Sequence, residues 1–588
     1  MSKRKQSGGL SPDDIHNILT NEESDDEYSS GSDYDISGEI TDSSSNDMTS
    51  DPGPATKVKR SRLEPDKPPV LRKWMPVGKF LPTISPFFDD SKSGISECFS
   101  QKLEVTDDDN GGNRLEISIF KEIVDEGFLS KIAIEMNKYH TFILENTDVK
   151  ENSKLHKWKG ITVDDLHVFL ALVMLMGHIK KNRLKDYWSK NSLIETPIFG
   201  KIMSLDSFQL TLRLLHFCDN NTQPQGDRLY KIRAVVDHFR RKYQSILYPF
   251  RNLCIDESMV AWKGRLQWKQ YIPSKRHRFG IKMFLLCDCE TGFVLDHIVY
   301  TGKETEIEYD ESVGISGSVV KTLLTPYIGK NHNVYLDNWY TSPSLFEYLH
   351  RNRTGACGTV RKNRKGMPEF PKNIKKGECV SRHTTVMLAQ RWRDKREVNM
   401  LTTIHEDLMV QTGKSDYTTG QSITKPLSVV RYNENMGLID KADMQISFTG
   451  NVRKTMKWYV KLFFHEIDIA VLNTYIVYQM KTGRKPQLHD FRLKLIDQLL
   501  EEFAKERKSP RGGRPSPVGD CLRLSGRHFP KPVPATASKE KPQRKCFVCQ
   551  HTTRRESKRK DTRVMCIECN KPLCLHPCFE EYHSLKNF

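Results

Sequence analysis

The last 43 residues of this 588-residue chain contain six of its 14 cysteines. They form two Cys-x-x-Cys pairs and two further cysteines, with histidines among them. A segment this short cannot bury a sizeable apolar core, whereas thiolates and imidazoles at this spacing are typical ligands of tetrahedral Zn²⁺ sites. The pattern therefore predicts a separate module, residues 545–588, that folds around metal ions.

Eight ligands would complete two zinc sites in this module. Seven are evident: Cys546, Cys549, Cys566, Cys569, Cys574, Cys578 and His583. His576 and His551 are the candidates for the eighth ligand, and we favour His576. A basic run at residues 554–560 is a candidate DNA contact, and the alternative function for such a finger is binding a histone tail or another protein.

The formal net charge of +18 restricts the partners of the chain. A basic excess of this size favours a polyanion, either nucleic acid or an anionic membrane surface. The longest apolar run, near residues 167–179, is too short to span a bilayer, and we expect no signal peptide. The sequence therefore predicts a nucleic-acid partner, no membrane association, and a reducing compartment in which the other cysteines are thiols.

Two segments lack the apolar residues that a packed domain needs. Residues 1–75 are predicted to be a disordered acidic tail, because Asp, Glu, Ser and Gly dominate there. Its basic cluster at Lys57, Lys59, Arg60 and Arg62 is either a nuclear import signal or one of the short basic clusters common in tails. Residues 509–544, rich in proline, glycine and basic residues, are predicted to be a linker.

The segment between about residues 117 and 244 has a helical pattern of apolar residues. Thr162 and Asp165 match a capping box at the start of one of these helices. Residues 436–447 and 456–480 also suit helices. The segment at about residues 117–244 is therefore predicted to be mainly helical.

From about residue 253 the pattern changes to short apolar strands. One strand ends at Asp256, two strands form a hairpin around a turn at residues 288–292, and another ends at Asp337 before a helix that begins at Pro343. Residues 427–432 follow a strand pattern as well. Strands that alternate with helices predict a mixed sheet in an α/β domain.

Four acids stand out in this domain. Asp256 and Asp337 end predicted strands, whereas Asp440 and Asp443 lie three residues apart on one face of a predicted helix. Carboxylates gathered at a sheet edge repel one another unless cations join them, and hard oxygen ligands suit Mg²⁺ or Mn²⁺. Two such ions support phosphodiester chemistry, although solvated surface acids are the commoner explanation of spacing alone.

The sequence around these acids resembles the piggyBac family of DNA transposases. The matching stretches, in the family's order, are IDESM at 255–259, WKGR at 262–265, YIPSK at 271–275, GIK at 280–282, DNWYTS at 337–342, GTVR at 358–361 and NMGLIDKADM at 435–444. The resemblance extends from about residue 75 to the C-terminus. It implies that Asp256, Asp337 and Asp440 are catalytic acids that hold Mg²⁺ or Mn²⁺, and that Asp443 is a further acid needed for activity.

The resemblance also implies how the chain is divided. An α/β RNase H-like catalytic core is expected at residues 251–360 and 426–447, with an inserted β-rich region at 361–425. One discontinuous, mainly α-helical dimerisation and DNA-binding domain is expected at residues 76–250 and 448–508. The C-terminal module is expected to be a cross-brace zinc finger, with two Zn²⁺ ions, that recognises transposon ends.

The activity implied by the resemblance is cut-and-paste transposition in the nucleus. The enzyme would act as a homodimer on DNA, cut at the terminal inverted repeats through hairpin intermediates, and join the ends to TTAA targets with precise excision. All four acids are present, which favours an active enzyme. The alternative is a domesticated, non-cleaving DNA-binding or chromatin protein on the same fold.

Basic residues with interleaved aromatic residues are predicted to contact DNA, because they neutralise phosphates and stack on unpaired bases. The candidates are Lys263, Arg265, Lys275, Arg276, Arg278, Lys282, Arg453, Lys454, Lys457 and Trp458. The aromatic residues Trp262, Trp268 and Tyr271 lie among the first six. The alternatives are a solvated basic strand face and, for Trp458, a position in the core.

Overall fold

The structure is a computed structural model. It describes residues 72–76, 80–83, 87–104, 114–273, 275, 277–415, 420, 422–450, 455–505, 524, 527–536, 539–556, 558–585 and 587–588. The chain divides into two units, residues 1–505 and 506–588, and each is described by itself. Most of the acidic tail, including Lys57, Lys59, Arg60 and Arg62, lies outside the described residues, as do Arg276, Arg453 and Lys454.

Two of the strands described in the first unit have ten residues each, and the others are shorter. They are β1 (Met75–Pro76), β2 (Gly94–Ile95), β3 (Leu247–Tyr248), β4 (Asn252–Ala261), β5 (Gln270–Tyr271), β6 (Phe279–Asp288), β7 (Val294–Val299), β8 (Asn333–Leu336), β9 (Gly355–Thr359), β10 (Cys379–His383), β11 (Leu388–Arg393), β12 (Glu397–Thr402), β13 (Met409–Ser415) and β14 (Ser422–Pro426).

The helices of the first unit lie before, within and after this series of strands. They are α1 (Glu97–Glu104), α2 (Leu115–Ile123), α3 (Glu126–Asn146), α4 (Val163–His178), α5 (Pro197–Ile202), α6 (Leu205–Leu214), α7 (Arg233–Ile246), α8 (Gly314–Leu324), α9 (Pro343–Arg351), α10 (Leu427–Asn435), α11 (Leu438–Thr449), α12 (Trp458–Thr482) and α13 (Leu488–Phe503). Short 3₁₀ turns lie at Asp90–Lys92, Lys154–Lys157, Leu184–Trp188, Asn220–Thr222 and Gly302–Glu304.

The central sheet is mixed, which is compatible with the predicted α/β architecture. Its strand order is β1-β10-β11-β12-β9-β8-β4-β6-β5, and β7 also pairs with β6. Strands β4, β8 and β9 run parallel to one another, whereas β4, β6 and β7 pair antiparallel. The predicted hairpin therefore corresponds to β6 and β7, and the predicted strand before Asp337 corresponds to β8.

The expected insertion at residues 361–425 largely continues this sheet. Strand β12 pairs antiparallel with β9, and β11, β10 and β1 follow outward in turn. Pairing with β12 satisfies the backbone groups that β9 would otherwise expose at an edge. In the described part of this insertion, β13 and β14 form a separate two-stranded sheet, as β2 and β3 do elsewhere in the first unit, and Met75, expected to lie in the disordered tail, belongs to β1.

The prediction of a strand at residues 427–432 is wrong, because these residues form the first part of the helix α10. Strand β14 ends at Pro426, which caps this helix. Ser428 is fully buried there, and its hydroxyl donates a 2.5 Å hydrogen bond to Gln390 Oε1 of β11. Tertiary packing thus overrides the strand preference of the local sequence.

Helices that precede the sheet in the sequence pack in one core with helices that follow it. Helix α12 packs on α2, and α13 packs on both α2 and α4. Helix α4 is buried from Leu166 to Gly177, and it begins with the predicted capping box, in which Asp165 N–H donates to Thr162 Oγ1 and Thr162 N–H donates to Asp165 Oδ2. No helix in the described part of the chain combines the length and apolar surface that crossing a membrane requires.

The second unit, in the residues that the structure describes, has short strands and helices. Its elements are β15 (Pro530–Pro532), β16 (Arg544–Lys545), α14 (Phe547–His551), β17 (Asp561–Thr562), β18 (Val564–Cys566), β19 (Lys571–Pro572) and α15 (Cys578–Ser584). Strand β15 pairs with β18, which pairs with β19, and β16 pairs with β17. The boundary expected at residue 545 is therefore too late, because part of the expected linker supplies β15.

Candidate active site

Strand register brings the first two acids side by side. The parallel pairing of β4 with β8 ends at Ile255 opposite Leu336, so Asp256 and Asp337 are the next residues on neighbouring strands. Asp337 directly follows β8, as predicted. Asp256 does not end its strand, because β4 continues to Ala261 along its other partner, β6.

A third carboxylate joins this pair. Oxygen atoms of Asp256, Glu257 and Asp337 all lie within 4.8 Å of one another, and the three side chains are half-buried. Glu257 was not among the predicted site residues. Its signal was its position beside Asp256 in the matching IDESM stretch.

The surroundings of these carboxyls disfavour their ionised forms. Burial, followed by the neighbouring charge of Glu257, raises the pKa of Asp337 to about 6, against the hydrogen bonds that it accepts from the backbone N–H groups of Trp339 and Tyr340. Burial also raises the pKa of Asp256 well above its usual range, with further increases from Glu257 and Asp337. A cluster of this kind needs nearby positive charge to stay ionised.

Asp440 reaches the other acids through a lysine. Lys275 Nζ lies 2.8 Å from Asp440 Oδ1 and 3.5 Å from Asp256 Oδ2. Asp440 is in the first turn of α11, outside the group of three carboxylates, and its side chain is 65% exposed. Burial opposes the charge of Lys275, but Asp256 and Asp440 raise its pKa. Lys275, predicted to contact DNA, therefore points at the acids in this structure.

Asp443 is held against the strand that carries Asp256. Ser258 Oγ donates a 2.5 Å hydrogen bond to Asp443 Oδ1, and α11 packs on β4. Burial raises the pKa of Asp443 to about 6, although the hydrogen bond from Ser258 opposes this shift. Asp443 thus lies outside the three-carboxylate group, and its hydrogen bond from Ser258 links α11 to β4.

The C-terminal end of α11 is anchored by three other helices. Gly177 of α4 approaches so closely that a Cβ atom there would lie 2.0 Å from the Thr449 carbonyl oxygen. Arg492 of α13 forms a buried ion pair with Asp468 of α12, at 2.9 Å, and donates to Thr449 Oγ1 at 3.4 Å. The helical part of the chain therefore positions the helix that carries Asp440 and Asp443.

The remaining basic candidates differ in exposure. Lys263, Arg265 and Arg278 are exposed. Lys282 is half-buried, with Nζ 4.0 Å from Glu257 Oε2 and 4.8 Å from the centre of the Trp339 ring.

Other candidates contribute to packing. Lys457 donates to the carbonyl oxygen of Arg213, and half-buried Trp458 meets Trp268 edge-to-face at 5.1 Å. Trp262 and Trp268 are buried, so the structure corrects the idea that they stack on bases, whereas Tyr271 is 48% exposed.

The second unit gathers two sets of four metal-binding side chains. One set is Cys546, Cys549, Cys574 and Cys578, and the other is His528, Cys566, Cys569 and His583. The members of the two sets alternate along the chain, and four thiolates or two thiolates with two imidazoles are donor sets that Zn²⁺ binds tetrahedrally. This arrangement agrees with the predicted interleaved pair of sites.

The structure corrects the expected eighth ligand. His528 Nδ1 lies 3.5 Å from the sulfur atoms of both Cys566 and Cys569, whereas His576 is exposed and belongs to neither set. The pairing of β15 with β18 brings His528 beside Cys566, although the two are 38 residues apart. Spacing could not reveal this ligand, because His528 lies in a segment with the composition of a linker.

Two parts of the chain match known protein families. Residues 116–475 match the family described as Transposase IS4, and residues 524–584 match the DDE_Tnp_1-like zinc finger. PiggyBac transposable element-derived protein 3 of Homo sapiens is 23% identical over 72% of this chain and 71% of that protein. PiggyBac transposable element-derived protein 5 of Homo sapiens is 19% identical over 70% of this chain and 82% of that protein.

A solved structure shares the fold. It is the cryo-EM structure of a piggyBac transposase synaptic complex with hairpin DNA, which is 23% identical, with a TM-score of 0.60 over 79% of this chain and 97% of that one. The family match covers more than half of the chain and includes every strand of the central sheet except β1, together with all of the acids of the site. The chain belongs to the Transposase IS4 family and to its piggyBac-type transposases.

Proposed function

We propose that this protein is an active DNA transposase that cuts DNA at the ends of a mobile element and joins those ends to a new target. The group of three half-buried carboxylates, Asp256, Glu257 and Asp337, carries this proposal. It lies where two parallel strands stop pairing in the mixed sheet of a transposase-family chain. A protein that only bound DNA would gain nothing from acids whose ionisation is this unfavourable.

The donor atoms fit a hard divalent cation. Only carboxylate oxygens form the group, and such oxygens suit Mg²⁺ or Mn²⁺ rather than softer metals. Asp256 and Asp337 would hold the ions together with Asp440, and Glu257 stands within reach of the same place. When bound, two such ions polarise the phosphoryl group and favour deprotonation of the attacking hydroxyl.

The chain's own residues would position the DNA around this centre. Exposed Lys263, Arg265 and Arg278 follow β4 and are placed to neutralise phosphates. Asp443, fixed by Ser258, holds α11 against β4 so that Asp440 faces the other acids. We assign the strand order β7-β6-β4-β8-β9 to an RNase H-like core, in which these acids share one site.

The reaction course follows from the family resemblance. Water would nick the transposon end, and the released 3′-hydroxyl would attack the opposite strand to form a hairpin. Reopened ends would then join a TTAA target, and excision would restore the donor site. We propose that a homodimer acts in the nucleus, because two ends must be handled together and the DNA is there.

The second unit would recognise the transposon ends. Its two sets of ligands fit two Zn²⁺ ions, and the basic residues near Arg554 and Lys560 are exposed on the same small module. Positive charge on a metal-held module favours phosphate contacts.

An excision assay tests the proposed activity. A donor plasmid would carry the element's own ends flanked by TTAA, and cells would express the wild type, Asp337→Asn or Asp440→Asn. Asp490→Asn is the matched control, because the Asp490 side chain is 67% exposed on α13 and lies outside the site.

We expect clean TTAA excision with the wild type and the control, and none with the two site variants, although all four proteins bind the ends. If the wild type binds the ends without cutting them, the enzyme proposal fails. A non-cleaving DNA-binding protein would then be the better account.

A further inference from the structure

Lys275 occupies a central position among the acids. Its ammonium nitrogen lies 2.8 Å from an oxygen of Asp440 and 3.5 Å from an oxygen of Asp256. The lysine side chain is only 14% exposed, as is that of Asp256. The ammonium group therefore lies between two of the acids proposed to share a divalent ion, well shielded from solvent.

We infer that Lys275 is an internal cation that holds Asp440 to Asp256 in the metal-free enzyme and competes with a divalent ion for these two carboxylates. The inference rests on the proposed function, since it concerns the affinity of the proposed metal site. Lys275 acts here through the acids, so it is a positioning residue.

Electrostatics supports this competition. Asp440 is otherwise largely exposed and lies outside the group formed by Asp256, Glu257 and Asp337. Lys275 is the link between that group and Asp440, and without it the two sets of negative charge would repel each other. A divalent ion that binds both Asp440 and Asp256 must displace the ammonium, because like charges at such distances are strongly unfavourable.

The displaced lysine has a use in the complex with DNA. A divalent ion between Asp256 and Asp440 would release the ammonium group toward solvent on the side where Asp440 is exposed. Phosphate groups are strong partners for a free lysine. Metal binding and the predicted DNA contact of Lys275 would then occur together, whereas the metal-free enzyme would keep the acids paired.

Mn²⁺ binding in the absence of DNA tests this inference without measuring activity. The zinc-loaded full-length chain would be titrated with Mn²⁺ by calorimetry, as wild type, Lys275→Gln and Lys275→Arg. Lys303→Gln is the matched control, because Lys303 is an exposed lysine of the same unit. We expect Lys275→Gln to bind Mn²⁺ at least about fivefold more tightly than the wild type, since no ammonium opposes the ion.

The other variants complete the comparison. Lys275→Arg keeps the charge and should bind Mn²⁺ about as weakly as the wild type, as should Lys303→Gln. Lys275→Met is a second neutral replacement if Lys275→Gln does not fold, and the unfolding temperature of each variant reports folding. Unchanged or weaker Mn²⁺ binding by the folded neutral variant would overturn the inference while leaving the metal site intact. Failure of every variant to bind Mn²⁺ would reject the metal site as well.

Discussion

At the scale of single residues, the carboxyl groups of the site lower the stability of the folded protein when they are ionised. The pKa of Asp337 is raised from its ordinary value of 3.8 to about 6 by burial and by Glu257. An acid with a raised pKa binds its proton more tightly in the folded state than in the unfolded state. Its stabilising contribution is therefore complete below about pH 4 and is lost as the pH rises through 6. At neutral pH the ionised carboxyl favours unfolding.

This behaviour predicts that divalent ions stabilise the protein in a pH-dependent way. At pH 7.5, saturating Mn²⁺ should raise the unfolding temperature of the first unit by about 2–3 °C, because it binds the ionised carboxylates of the folded state. At pH 5 the effect should largely disappear, because Asp337 is then mostly protonated. Differential scanning fluorimetry at the two pH values, with and without Mn²⁺, measures both effects.

The Asp337→Asn variant is the control for this prediction. It replaces a half-buried, ionisable group by a neutral one of the same shape, so the metal-free variant should be more stable than the wild type at pH 7.5. Its gain from Mn²⁺ should be absent. An equal gain in wild type and variant would show that Mn²⁺ acts elsewhere.

Single residues also show what the sequence could and could not predict. Asp337 was predictable because it follows a short strand whose bounds the sequence marks clearly. Glu257 and His528 were not, since their roles arise from where the neighbouring backbone runs: β8 ends opposite Ile255, two residues before Glu257, and β15 carries His528 to Cys566. Trp262 and Trp268 have the composition of a DNA-binding stretch, but only the packed structure shows that they are buried.

At the scale of secondary-structure elements, the placement of α11 depends on close packing with α4. The carbonyl oxygen of Thr449 lies where any side chain larger than glycine at position 177 would be. Cores respond to such added volume by shifting backbone, because their packing leaves few voids. The position of the helix that carries Asp440 and Asp443 is therefore set by a residue far from them in sequence.

Gly177→Ala should accordingly destabilise the protein and impair cleavage. The added Cβ atom would lie 2.0 Å from a backbone oxygen, so α11 must move, at a cost of about 1–3 kcal/mol in the free energy of unfolding. Gly200→Ala in α5 is the matched control, because its nearest neighbour would be Trp188 Cδ1 at 3.9 Å.

Urea denaturation and the excision assay together measure the effect of Gly177→Ala. The control should be neutral or more stable by up to about 1 kcal/mol, since alanine favours helices. A Gly177→Ala protein as stable and active as the control would contradict the proposed role of this contact.

Elements differed in how well the sequence predicted them. The β6–β7 hairpin, β8, α9 and the capping box of α4 follow from local signals such as turn residues and caps. The strand expected at residues 427–432 was wrong, because burial of Ser428 beside β11 selects a helix. The attachment of β10–β12 to the sheet depends on the pairing of β12 with β9 and of β10 with β1, which are distant in sequence, and no local pattern encodes it.

At the scale of the whole molecule, the two units have different sources of stability. The first unit has a large apolar core, whereas the second has a small cluster built around its cysteines. A module with so little apolar burial depends on bound metal for most of its folding energy. Removal of metal should therefore unfold the second unit and leave the first folded.

Zinc content distinguishes the ligand set of the structure from the one expected from sequence. We expect two Zn²⁺ ions per wild-type chain, about one in His528→Ala and two in His576→Ala, because only His528 belongs to a set of four ligands. Atomic emission on desalted protein measures the metal, and limited proteolysis shows whether residues 506–588 stay folded. A loss of zinc in His576→Ala but not in His528→Ala would reject the structural assignment.

The contact of α11 with Arg492, which is paired with Asp468, has a consequence for gene copies that accumulate truncating mutations. All four acids are encoded before residue 450, but two of the three helices that anchor α11, namely α12 and α13, are encoded after it. A stop codon between the two would leave the codons of all four acids intact and still remove two of the helices that support the site. An intact set of acids in a coding sequence is therefore not enough to mark a competent enzyme. The reading frame must also continue through residue 492.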